Sequence, residues 1–152
     1  MKRDSKLSGI LHILLHMIEA GEPLTSERLA SMMTTNPVVI RRLMSGLREK
    51  GFVRSEKGHG GGWTVACDPA RTTMADIYEA LGAPPLLAIG LRTETSACLV
   101  EQAVNASLKD AFREAEALLE ARFASVTLAE LAADFHARMK ARNLKETDFH
   151  AA

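Results

Sequence analysis

The chain has 152 residues, 47% of them hydrophobic and 25% charged, a composition that excludes a disordered or low-complexity polymer and fits a folded chain with a buried core. No apolar run reaches the roughly 18–20 residues that a membrane span needs. Lys2, Arg3 and Lys6 are followed by no apolar stretch with a small-residue cleavage site, so neither a span nor a secretion signal is expected.

The formal net charge of zero conceals two unlike halves. Residues 1–72 carry a net of +4 and residues 73–152 a net of −4. A basic first half suits a polyanion, and an acidic second half suits some other task. Cys67 and Cys98 are the only cysteines. Two thiols cannot build a disulfide framework for this length, so a reducing, cytoplasmic setting is expected.

In chain order, Leu7, Ile10, Leu11, Leu14, Met17 and Ile18 recur at three and four residues and predict a helix from about Ser5 to Ala20. Gly21 and Pro23 stop it. Thr25 or Ser26 caps a second helix, with Leu29, Met32 and Met33 inward. Asn36 caps a third, with Pro37 at its first position. Val39/Ile40, Leu43, Met44 and Leu47 form its buried stripe, and Gly51 closes it. The period then becomes extended. Phe52–Glu56 and Trp63–Ala66 read as two strands of a hairpin, joined by a glycine-rich tip, Lys57 to Gly62.

Thr73 caps a short helix, Met74 to Leu81, and residues 86–97 read as irregular. A long helix is expected from about Ala97 to Phe123, rich in Ala, Leu and Glu. Thr127 caps the last helix, with Leu128, Leu131 and Phe135 inside. The expected division is a DNA-binding head at 1–81, a linker at 82–96, dimerisation helices at 97–143 and a loose tail at 144–152.

The fold class that follows is mainly α with a small β-hairpin wing: a winged helix-turn-helix head plus a long C-terminal dimerisation helix. In that arrangement the second helix braces the third, which lies in the DNA major groove. Thr34, Thr35 and Asn36 stand where free amides and the helix dipole favour a phosphate. Val38, Arg41, Arg42 and Ser45 are the outward candidates, with Ser26 beside them on the second helix. Arginine can grip guanine or clamp phosphate, and valine can touch a thymine methyl. Between Arg41 and Lys57 there are six basic residues and two acidic ones. Lys57 and His59 at the wing tip are placed to reach the backbone or minor groove. The other reading is that the arginines are ordinary solvated positions and the head docks another protein.

The run Thr35-Asn36-Pro37-Val38-Val39-Ile40-Arg41-Arg42, then Leu47-Arg48, Gly51-Phe52-Val53-Arg54-Ser55 and Gly58-His59-Gly60-Gly61-Gly62-Trp63, resembles the Rrf family of bacterial regulators, which includes the repressors IscR, NsrR and CymR. Its form is most similar to the cluster-less YwnA-like branch. Thr73–Tyr78 and Val126–Leu131 resemble later family segments, so the likeness covers about residues 5 to 135. It implies a homodimer whose long helices cross, bound as a repressor to a palindromic double-stranded operator. The residues agree: the stripe Val100, Val104, Leu108, Phe112 and Leu119 is too long for a small head to cover, so a partner copy is expected there.

Many relatives hold an iron–sulfur cluster with three cysteines before the long helix. Only Cys98 stands there, and a cluster needs about three or four thiolates or equivalents, so no cluster is expected. Cys98 is either a thiol sensor at a helix N-terminus or a small residue in the dimer core. His12 and His16 have the i, i+4 spacing of a metal pair without a visible third ligand, so no metal site is expected. No enzyme signature is present. Gly58–Gly62 lies in a hairpin and lacks the Gly-Lys-Ser/Thr of a phosphate loop. Residues 82–97, with Pro84-Pro85 and Leu86-Leu87, read as linker packing or as the wall of an effector pocket for an unknown small molecule.

Overall fold

In the computed structural model, which describes residues 5–142, four of the helices begin on the side chain of the residue just before them. The expected loose tail, 144–152, lies outside the described residues. The first helix, α1 (Lys6–Ala20), stops where Gly21 turns left-handed at φ 60°. The Thr25 hydroxyl accepts the Arg28 N–H at 3.2 Å and starts α2 (Ser26–Met32). Asn36 Oδ1 accepts the Val38 N–H at 2.8 Å and starts α3 (Pro37–Glu49).

Strands β1 (Val53–Glu56) and β2 (Gly62–Val65) pair antiparallel, with Val53 opposite Val65 and Ser55 opposite Trp63. Leu24 adds a short third edge. Its N–H and carbonyl both bond to Trp63, at 3.0 and 2.8 Å. A side chain on Gly62 would put Cβ 2.6 Å from the Leu24 carbonyl oxygen, so this crossing requires glycine.

Reciprocal capping boxes start α4 (Met74–Ala80), through Thr73 and Asp76, and α6 (Leu128–Ala141), through Thr127 and Glu130. The core of the head joins α1 (Ile10, Leu14), α2 (Leu29), α3 (Ile40, Met44, Leu47), the wing (Val53) and α4 (Ile77). Leu128 of α6 is fully buried in this same core. The Leu128 N–H bonds to the Thr72 carbonyl, and the Met74 N–H to the Val126 carbonyl, both at 2.9 Å. The start of α6 therefore belongs to the head, although the sequence grouped residues 97–143 as one arm. Of the pair Val39/Ile40 expected to share one place in the buried stripe, Ile40 takes the inward position and Val39 is 47% exposed.

The long helix α5 (Leu99–Ala124) has 26 residues, about 39 Å at 1.5 Å per residue. Its C-terminal end meets the head, where Phe123 packs edge-on against Tyr78 with ring centroids 5.8 Å apart. The irregular segment before it folds back on its first turns. Asn105 Nδ2 donates to the Thr93 carbonyl at 2.7 Å, and Gln102 Nε2 to the Ser96 carbonyl at 2.8 Å. The neighbouring face stays bare: Val100 is 73% exposed, Val104 51%, and Leu108 and Leu119 just over a third. Phe112 on that face is half-buried.

Candidate nucleic-acid interface

Burial of Ile40, Met44 and Leu47 fixes the rotation of α3 and turns its other side outward. Val38, Arg41 and Arg42 are exposed on that outer side, and Ser45 is half-buried. The spacing of these positions places them on one helical face.

The N-terminus of α3 differs from expectation. Thr34, Thr35 and Asn36 are exposed there, but the nearby amides have partners within the chain. Thr34 takes up a left-handed φ of 50°. Its N–H bonds to the Ser31 carbonyl, and the Thr35 N–H to the Ala30 carbonyl. Pro37 has no N–H. The Val38 N–H goes to the Asn36 side chain, and those of Val39 and Ile40 go to the Asn36 carbonyl. A phosphate at this end would meet the two threonine hydroxyls and the helix dipole rather than vacant amides.

Ser26 also departs from expectation. Its side chain is buried, and its hydroxyl oxygen accepts the indole N–H of Trp63 at 2.9 Å. The residue ties α2 to the wing and is not available to DNA. Two contacts with no local signature surround the outer face of α3. Glu27 of α2 forms an ion pair with Arg41. Its own backbone N–H in the first turn, and then the Arg41 guanidinium, hold the Glu27 carboxyl below the ordinary carboxylate pKa. The Arg48 guanidinium lies 6.0 Å from the centre of the Trp63 ring, at the outer limit of a cation–π contact.

At the wing, Lys57 and His59 are exposed at the tip. Arg54 pairs with Glu56 at 3.5 Å. The glycines there do different work. A Cβ on Gly61 would collide with the Glu56 carbonyl oxygen, whereas Gly58 and Gly60 face open space. Close approach to an outside backbone is therefore a property of Gly58 and Gly60.

Cys98 is exposed as the N-cap of α5. The backbone N–H groups of Glu101 and then Val100 hold its thiol below the ordinary cysteine pKa, without a capping hydrogen bond. His12 and His16 bring their Nε2 atoms within 2.7 Å of each other. Glu19, one turn on, pairs at 2.7 Å with His136 of α6. Among the described residues no group of three or more His, Cys, Asp or Glu is arranged to hold a metal ion. Likewise, none of the described helices is long and apolar enough to cross a membrane.

The geometry is that of a winged helix-turn-helix, and the comparisons give it a family. The family model Rrf2, described as an iron-dependent transcriptional regulator, matches residues 3–134. The chain belongs to the Rrf2 family of transcriptional regulators. YwnA of Bacillus subtilis strain 168, named as an HTH-type transcriptional regulator, is 28% identical over 128 residues, spanning 84% of this chain and 95% of YwnA. This agrees with the resemblance to the YwnA-like branch. A solved transcriptional regulator of Lactobacillus plantarum superposes with a TM-score of 0.72 at 24% identity, over 87% of this chain and 90% of that one. CymR, titled the global cysteine regulator of B. subtilis, superposes at 0.61 with 23% identity, over 88% and 98%. These two likenesses carry the fold of the Rrf2 chain.

The iron in the family description can be tested against the donors present. Two cysteines in the whole chain fall short of a cluster's three or four sulfur ligands. Cys98 is at the far start of α5, and Cys67 is half-buried just after the wing. The donor set does not fit an iron–sulfur cluster.

Proposed function

We propose that this chain is a sequence-specific DNA-binding regulator that acts as a homodimeric repressor on a palindromic operator. α3 enters the major groove with Val38, Arg41, Arg42 and Ser45, the Thr34–Thr35 turn meets the phosphate backbone, and Lys57 and His59 of the wing reach the flanking groove. The reading is carried by one observation: a helix locked by its inner stripe presents two arginines outward, and the chain follows it with an open glycine tip that carries Lys57 and His59. The bare stripe of α5 supplies the surface for the second copy. A two-fold axis through it would set the recognition helices about one DNA turn, ~34 Å, apart. Cytoplasmic action without cofactor or catalysis completes the proposal.

A second reading, a head that docks another protein, is favoured by the exposure of Val38 and Val39, 61% and 47%. An electrophoretic shift of the DNA upstream of the chain's own gene separates the two. A shift at moderate salt that unrelated DNA does not compete away supports the first. Equal competition by unrelated DNA, or no shift, favours the second.

A further inference from the structure

Two arginines stand on the outer face of α3, and they differ in what touches them. Arg41 Nη2 donates to Glu27 Oε1, a carboxylate that belongs to α2. Among the described residues no ion pair involves Arg42. By residue type alone, either arginine could grip guanine or clamp a phosphate. The carboxylate of Glu27 separates the two tasks.

A guanidinium is a planar fork with two edges that each offer a pair of N–H donors. The two hydrogens on Nη2 belong one to each edge. A single bond from Nη2 to Glu27 therefore occupies one edge and leaves the other whole. Guanine presents O6 and N7 in the major groove as an acceptor pair that matches such an edge, and this pair carries no net charge. A phosphate oxygen is an anion. Glu27 is ionised, because its own backbone N–H and then Arg41 hold its carboxyl below the ordinary pKa. Its charge repels a phosphate brought up to Arg41 but has no such effect on a neutral base edge. The bond also restrains the long Arg41 side chain, so less conformational freedom is lost when it meets a base. Arg42 has neither the restraint nor the neighbouring negative charge.

We propose that Arg41, held by Glu27, is the residue that reads a guanine of the operator, while Arg42 clamps phosphate. Glu27 touches no base in this arrangement and is a positioning residue. The proposal rests on the DNA-binding reading and divides the labour within the same face of α3.

The test uses 7-deazaguanine, which keeps its base pair but lacks the N7 acceptor. It is placed at one guanine at a time in the tightest duplex that the parent chain selects from a randomised pool. At one guanine the replacement should weaken binding of the parent roughly fivefold or more. The same replacement should weaken Arg41→Ala and Glu27→Ala less than about twofold, and Arg42→Ala as much as the parent. Glu27→Ala should melt with the parent, because the pair is exposed, so its lost discrimination would not reflect a lost fold. A guanine penalty that Glu27→Ala keeps in full overturns the role given to Glu27. A penalty that Arg41→Ala keeps and Arg42→Ala loses overturns the division between the arginines. If a preferred duplex emerges in which no guanine replacement matters, the proposal falls and the DNA-binding reading stands. If no preferred duplex emerges, both fall.

Discussion

The indole N–H of Trp63 donates to the hydroxyl of Ser26 across 2.9 Å, and both residues are buried. This bond joins the wing to the helix that braces α3, so the wing and α3 are held to one another through the interior. Ser26→Ala would leave the indole N–H without a partner in a buried place, at a cost of about 1–3 kcal/mol. The expected result is a melting temperature lowered by several degrees and an altered emission from Trp63, the only tryptophan. Ser26→Thr, which keeps the hydroxyl, should restore most of both. A Ser26→Ala chain that melts with the parent would show that the bond contributes nothing.

The Glu27–Arg41 pair sets a second expectation. Both side chains are more than half exposed, so the pair contributes little to stability. Its effect falls on charge: Glu27 offsets a cation that would otherwise attract any phosphate. Glu27→Gln should leave the melting temperature within about a degree of the parent, raise affinity for unrelated DNA several-fold, and steepen the salt dependence by about one phosphate contact. A loss of affinity for unrelated DNA would contradict this view of the pair.

The bare face of α5 gives a third. Val100→Glu and Val104→Glu each place a charge where a partner helix is proposed to pack. The parent should sediment as a dimer, and the variants should associate at least tenfold more weakly while keeping their helical dichroism. Operator affinity should fall with dimerisation, because the two half-sites would no longer be bound together. Variants that remain dimers would move the interface elsewhere.

Cys98 gives an expectation in pH. A thiol held below its ordinary pKa carries more thiolate at any given pH, and thiolate is the reactive form. Alkylation of Cys98 by iodoacetamide should reach half its maximal rate at a lower pH than that of a free cysteine measured alongside it, and should outpace that of half-buried Cys67. Protection of Cys98 in the native protein would place it inside an interface instead.

The sequence showed the local chemistry clearly. Asn36, Thr73 and Thr127 cap the helices they are expected to cap, and of the two candidates Thr25 and Ser26 it is Thr25 that caps α2, because capping joins groups no more than three residues apart. The inner stripe of α3 was legible for the same reason, apart from Val39, whose side the helical period left open between two neighbours. Ser26 was misread because its partner, Trp63, lies 37 residues away. The Glu27–Arg41 contact spans 14 residues and needs the crossing of α2 and α3 to exist. The start of α6 shows the same limit. Its periodicity is that of any amphipathic helix, and the contacts that fix it to the head, the bridge between Thr73 and Thr127 and the burial of Leu128 in the core, join residues far apart in the chain. Even the α3 N-terminus, rightly located, was misjudged in chemistry, because Asn36 and the preceding turn take up its amides.

The central claim is that the outer face of α3 reads DNA, and Arg41→Ala and Arg42→Ala test it most directly on an operator first mapped by footprinting with the parent chain. Fluorescence anisotropy at fixed salt should show each variant binding that operator more than tenfold more weakly, while sedimentation shows an unchanged dimer and dichroism an unchanged fold. Parent-like affinity in both variants would contradict the account and remove α3 as the reading surface.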